Sequence, residues 1–367
     1  MSPCQGPSIS HEMQVLKLAL TDRCLLDCRY CFVRKGDRVL SAGDCIRIIE
    51  VFLGSPGTDK MLLLYGGEPL LSFPLVKKVV LFALDRSKLL KKKLTISVAT
   101  NGILLKEAQL RFFRDFRVKL CISMDGPEPV HDYARVFPDG VGTFRRVAGK
   151  IPLISRYICN RDFCALCGVL PRFAPRMHVN LMYLVKCGFQ NINIEPIRSG
   201  KTIWTPRSCE IFADRMVRFL KYLYGEIERG AFVFLNTINR ELKNRRVSQR
   251  RNACPFFESV EVSPDGRMFF SPFLANAVDR DTYAVGDVRE GFRQEYYSCR
   301  FSSSGLACWL CRQGDGNLSP GPACSATRVL EIRDYFSRRA AGLILRYGAR
   351  RPVFRRYIRE ARKRVFD

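Results

Sequence analysis

Three cysteines, Cys24, Cys28 and Cys31, stand in TDRCLLDCRYCF, separated by three and then by two residues. A loop with that spacing can wrap three thiolates around one body. Iron–sulfur cubes are usually held by four cysteines. Three would leave one iron open to take a small molecule through a nitrogen and an oxygen, and an electron could then pass directly into that ligand. A structural zinc site is the plainer alternative, but zinc wants a fourth ligand close by and the segment supplies none. Further along, LLLYGGEPLL places Gly66, Gly67 and Glu68 where backbone can approach closely and a carboxylate can receive an ammonium group. VATNG offers Thr100 and Asn101, and KLCISMDGP offers Ser123 and Asp125.

The elements that must carry these residues are legible as an alternation. Strand-like runs at Val15 to Leu20, Met61 to Tyr65, Leu94 to Ala99, Val118 to Ser123 and Asn191 to Glu195 are separated by helix-like runs. The helical runs include Ala42 to Leu53, Leu104 to Phe113 and Phe144 to Tyr157, and such an order predicts a parallel sheet with crossover helices. The candidate residues then gather at the carboxyl ends of the strands, where α/β barrels keep their sites. Pro171 and Pro175 interrupt any regular pattern between Cys167 and Val179, where a strand could begin, and helical periodicity resumes from Arg207 to Arg229. Beyond Asn252 the texture changes to cysteines, glycines and short strand-turn-strand units, which sets a domain boundary near residue 250.

The cysteine spacing, with Tyr30 before the last thiol, resembles the signature of the radical S-adenosylmethionine (SAM) superfamily, and the motifs that follow strengthen the likeness. The resemblance implies an α/β fold, a partial (β/α)6 TIM-like barrel over 1–250, in which a [4Fe-4S] cluster on Cys24, Cys28 and Cys31 cleaves SAM to a 5′-deoxyadenosyl radical. It also implies that Gly66, Gly67 and Glu68 hold the amino group of SAM, with Thr100, Asn101 and Asp125 nearby. Ser123 would touch its ribose or carboxylate, Arg135 would pair with its carboxylate, and the backbone at Ile194, in INIEPI, would lie beside the adenine. An arginine fork suits a carboxylate because it offers two parallel bonds.

The run SMDGPEPVHDYARVFPDGVGTF is similar to a segment of SPASM-type peptide maturases and sulfatase maturases. Such domains carry a cysteine-rich C-terminal unit for auxiliary clusters. Here Cys254, Cys308, Cys311 and Cys324 are candidate ligands, with Cys299 as a substitute, over 251–327. Ser271 and Pro272 replace the cysteine and catalytic aspartate of sulfatase maturases, and Asn317 replaces a further cysteine. One auxiliary [4Fe-4S] cluster in a shortened, twitch-like domain is therefore expected, against a zinc site or a metal-free domain. Cys159, Cys164 and Cys167 fall outside the pattern and read as buried structural thiols, as ligands of another metal, or as a hydrogen-atom donor.

Composition bounds the rest. The 367 residues can bury a large core, and 47% apolar and 11% aromatic content argues against disorder over most of the length. No run approaches a membrane span, no secretory segment is evident, and sixteen cysteines at short spacings suit metal ligation in a reducing cytoplasm better than disulfides. The net charge of +26 is concentrated in a basic helical tail over 328–367, which is either a solvated helix face or a dock for an acidic peptide, a nucleic acid or an electron donor such as flavodoxin or ferredoxin. The leading expectation is post-translational modification of a peptide or protein by crosslinking, epimerisation or oxidation. RNA modification and a non-catalytic basic zinc-binding protein are the alternatives. About fifteen residues precede the first strand, so a separate leader-binding domain is not expected.

Overall fold

A computed structural model describes residues 13–198, 202–243, 259–270, 275–276, 280–293 and 325–364. Its centre is a run of parallel strands: β1 (Val15–Thr21), β2 (Asp59–Gly66), β3 (Lys93–Thr100), β4 (Lys119–Ser123), β5 (Phe163–Val169), β6 (Asn191–Pro196) and β7 (Phe234–Leu235). On the far side of β1 lie β8 (Ser259–Val262), β9 (Arg267–Phe269), β10 (Gly286–Asp287) and β11 (Gly291–Phe292). The sheet order is β11-β10-β9-β8-β1-β2-β3-β4-β5-β6-β7, with β8 parallel to β1 and β9 to β11 antiparallel. β7 and β11 end the sheet without pairing to each other, so the architecture is a partial TIM-like barrel.

Alternation along each strand separates two environments. Leu16, Leu18, Leu20, Leu62, Leu64, Ile96, Val98, Leu120 and Ile122 belong to one continuous core with the crossover helices. Residues between them face the lumen, where Cys121 and Cys164 form a separate small cluster with Ala99 and Leu166. The helix Ala42–Gly54 starts where the Ser41 hydroxyl accepts from the Asp44 amide, and buries Ile48, Ile49, Phe52 and Leu53 against the sheet.

Three expectations shift. The helix expected from Leu104 spans Glu107–Asp115, because Asn101 and Gly102 make a turn first and the Lys106 amide is capped by Gln109. The run from Phe144 to Tyr157 is two helices, Phe144–Ala148 and Ile151–Tyr157, the second opening with Pro152, which cannot donate into a preceding turn. The fifth strand lies before the proline-interrupted stretch, whose residues Pro171–Arg176 form 3₁₀ turns leading into helix Met177–Lys186.

The basic C-terminal residues are docked on the barrel. Helices Ser325–Arg350 and Pro352–Ala361 pack on helices Pro206–Glu228 and Asn236–Lys243. Tyr357 is fully buried, stacks on Phe234 at 4.8 Å and donates to the Val233 carbonyl at 3.1 Å. Phe354 is buried too, whereas Tyr335 and Tyr347 keep substantial exposure. Among the described residues no helix is long and apolar enough to cross a membrane. Replacing Tyr357 with Ala is expected to cost about 3–5 kcal/mol, by analogy with other buried aromatic truncations, and Tyr335→Ala less than about 0.5 kcal/mol. Urea unfolding midpoints compare the two.

Candidate cofactor-binding site

The loop after β1 carries Cys24 and Cys28, both half-buried, and Cys31, which is exposed; all three thiols are free. It is pinned to the segment after helix Glu128–Ala134, since the Asp27 amide donates to the Val136 carbonyl at 2.7 Å and the Arg29 amide to the Ala134 carbonyl at 2.9 Å. Burial pushes the Cys28 thiol up to about 11 against the pull of Arg135, and it also raises Cys24, which accepts from the Leu26 amide at 3.4 Å. A metal would have to displace these protons. Among the described residues no group of three or more His, Cys, Asp or Glu side chains is placed to hold a single metal ion.

Gly66 and Gly67 serve a purpose the motif alone did not reveal. A Cβ on Gly67 would lie 2.2 Å from the Arg23 carbonyl, and one on Gly66 2.5 Å from that of Thr21. The Gly67 amide donates to the Thr21 carbonyl at 2.7 Å and the Glu68 amide to the Arg23 carbonyl at 2.8 Å. The glycines therefore let the end of β2 dock directly on the root of the cysteine loop. Beside them Glu68 is fully buried. Its carboxylate accepts from the Thr100 hydroxyl at 2.7 Å, the Asn101 amide at 2.8 Å and the Leu70 amide at 3.1 Å. Burial still pushes Glu68 up to about 7 against those three bonds. The Asn101 side chain reaches back to the Cys24 sulfur at 3.9 Å.

A second network surrounds Asp125, just past β4. It accepts from the Tyr30 hydroxyl at 2.6 Å, from Arg135 Nε and Nη2 at 3.0 and 3.2 Å, and from the Gly168 amide at 2.8 Å. Arg135, expected to meet a ligand carboxylate, is thus held by a carboxylate of the protein, with its guanidinium 5.2 Å from the Tyr30 ring centre. Ser123 is half-buried at the end of β4. The Ile194 side chain is buried in the core, and its carbonyl accepts from Arg333 at 3.3 Å while Arg333 also pairs with Glu195 at 2.9 Å.

Motif reading missed Gly168, His131, Thr143 and Arg333. A Cβ on Gly168 would lie 2.8 Å from the Tyr30 hydroxyl, a tertiary contact without a local signal. The Thr143 hydroxyl donates to the Arg135 carbonyl and so accepts from His131 Nε2, leaving Nδ1 to accept from the Asp125 amide. That assigns a neutral tautomer, and burial lowers His131 to about 4. Cys159, Cys164 and Cys167 do not converge: Cys159 is exposed, Cys164 lies beside Cys121 in the lumen, and Cys167 lies on the other face, 3.4 Å from the Asp125 carbonyl. Cys254, Ser271, Pro272, Cys299, Cys308, Cys311, Asn317 and Cys324 lie outside the described residues.

Comparison with known proteins places this geometry. Residues 18–171 match the radical SAM superfamily, so that part of the chain is a radical SAM domain. Its relatives include sulfatase-maturating enzymes. It is 23% identical over 280 residues to the serine-type anaerobic sulfatase-maturating enzyme of Klebsiella aerogenes, covering 72% of this chain and 68% of that one. It is 25% identical over 190 residues to an uncharacterised protein of Methanocaldococcus jannaschii, covering 52% of this chain and 64% of that protein, so it spans less than two thirds of that relative's length. The fold matches anSMEcpe with bound AdoMet at a TM-score of 0.71 and 17% identity, over 95% of this chain and 99% of that one. The same protein has been solved with AdoMet and the Cp18Cys peptide.

Two outcomes are expected. Gly67→Ala should lower stability by about 1–3 kcal/mol, as overpacking does, with the loss read from urea unfolding. His131 holds its proton less tightly folded than unfolded, so its stabilisation is complete above about pH 6.5 and is lost as pH falls towards about 4. The loss is on the order of 3 kcal/mol, and His131→Gln should flatten that part of the stability–pH curve.

Proposed function

We propose that this chain cleaves SAM reductively at a [4Fe-4S] cluster on Cys24, Cys28 and Cys31, and that it modifies a peptide or protein through hydrogen abstraction. The observation that carries the reading is the convergence of three free thiols, the Glu68 carboxylate and a docked GGEP turn at the carboxyl ends of β1 to β3 in a radical SAM domain. Bound there, the cluster and SAM would supply a 5′-deoxyadenosyl radical.

The chain's own residues bind, orient and exclude. Glu68 is the acceptor for the SAM ammonium, with Thr100 and Asn101 holding its carboxylate in place. Gly66 and Gly67 set the spacing between that carboxylate and the cysteine loop. Asp125 fixes Tyr30 and Arg135, so Arg135 presents its remaining N–H groups towards the ligand carboxylate, beside Ser123. The backbone at Ile194 borders the adenine. One auxiliary cluster on Cys254, Cys308, Cys311 and Cys324 would take the electron left on the substrate. The peptide reading draws support from the sulfatase-maturating relative and from the anSMEcpe structure with a bound peptide. Flavodoxin or ferredoxin suits the cationic surface as electron donor.

Anaerobic reconstitution with SAM, a reductant and the peptide encoded nearest this gene is expected to yield 5′-deoxyadenosine and a mass change on the peptide. Changing Cys24, Cys28 and Cys31 together to Ala should remove one cluster's iron and all 5′-deoxyadenosine; cleavage at an unchanged rate would overturn the assignment. Glu68→Gln should weaken SAM binding by about ten- to a hundredfold, the worth of a hydrogen bond to a charged group.

A further inference from the structure

Two arginines beside the thiols carry charge that no carboxylate answers. Arg29 lies between Cys28 and Cys31, and Arg172 in the 3₁₀ turns after β5; both are exposed, and among the described residues neither makes an ion pair. Tyr133 gathers them: the guanidinium carbon of Arg172 is 3.9 Å from its ring centre and that of Arg29 5.1 Å. Phe173 meets the same ring edge-on at 5.3 Å, and the Arg29 amide is tied to the Ala134 carbonyl at 2.9 Å, so the base of the patch is fixed. A guanidinium laid against a ring has already given up much of its freedom, yet its N–H edge still points outward for a carboxylate to meet.

The other cations of the loop show that this is not a general property of it. Arg23 is paired with Asp37, Lys35 with Asp27, and Arg38 with Asp22 and Asp265. Arg34, three residues past Cys31, is a third exposed arginine without an ion pair. Free positive charge therefore flanks Cys31 in the chain, and Cys31 is the exposed thiol of the three. A cluster held there comes nearest to solvent at this patch. The arginines stand on open surface, which suits the carboxylates of another protein better than a small anion that must be enclosed. Electron-transfer encounters need only such a surface, since they are small and held by a few salt-sensitive charges. The exposed arginines of the C-terminal tail sit instead on helices packed outside the barrel wall.

We propose that Arg29 and Arg172, braced by Tyr133, form the docking surface for an acidic one-electron carrier protein. The inference rests on the cluster assignment above: one electron leaves the carrier, which is oxidised, and enters the cluster, which is reduced, with no bond made or broken. Calorimetric titration of a flavodoxin into the full chain carrying its reconstituted cluster reads docking without turnover. Saturable binding that weakens with salt is expected. Arg29→Gln combined with Arg172→Gln should weaken it about three- to thirtyfold at low salt, as the loss of two exposed ion pairs does. Arg338→Gln combined with Arg339→Gln removes the same charge from the tail and should change binding less than about twofold. Dithionite needs no docking, so bleaching of the cluster's visible absorbance by it should be alike in all three proteins; if the loop variant does not take up its cluster, Arg172→Gln alone, outside the loop, carries the comparison. Unchanged binding in the loop variant, or an equal loss in the tail variant, overturns the surface. Binding lost as expected while the native chain yields no 5′-deoxyadenosine would retain the surface and count against the SAM reading.

Discussion

One buried carboxylate ties the mouth of this barrel together. Asp125 joins the cysteine loop through Tyr30, the segment after the fourth strand through Arg135, and the fifth strand through the Gly168 amide. Its own amide leans on His131, and His131 on Thr143. A buried ion pair is not in itself a source of stability, because desolvation offsets much of the attraction. Its worth here is geometric: with each Asp125 oxygen shared between two donors, the loop that bears three thiols has one orientation relative to the strands.

The second constraint is the absence of side chains. At Gly66 and Gly67 the backbone of one strand end lies on the backbone of the next, closer than any Cβ permits. The same contact fixes how far Glu68 stands from Cys24 and lets Asn101 touch both, by its amide and its side chain. Positions in this arrangement are set by main-chain hydrogen bonds between loops, which a rigid parallel sheet can hold without further bracing.

Much of this was legible beforehand because the signals are local. Outward-facing strand residues are apolar at every second position, and the motifs sit at strand ends where a parallel sheet must place them. What escaped was tertiary or disguised. Phe163–Val169 reads as a cysteine cluster because its two thiols draw attention from its alternation, yet alternation is what sends Cys164 to the lumen and Cys167 to the core. Gly168 matters only because Tyr30 crosses above it, and Arg333 only because a helix far along the chain returns to β6. The first glycine of GGEP was read as an opening for a ligand, whereas the nearest obstacle is the protein itself.

That return by Arg333 has a consequence for the order of assembly. The rim of the barrel at the sixth strand is finished by a helix that follows every described strand in the chain. Until that helix docks, Glu195 lacks its cation and the Ile194 carbonyl lacks its donor. A nascent chain therefore presents a frayed rim while its cysteine loop is already complete, and metal loading before the last helix docks would take place in a more open vessel than the mature one.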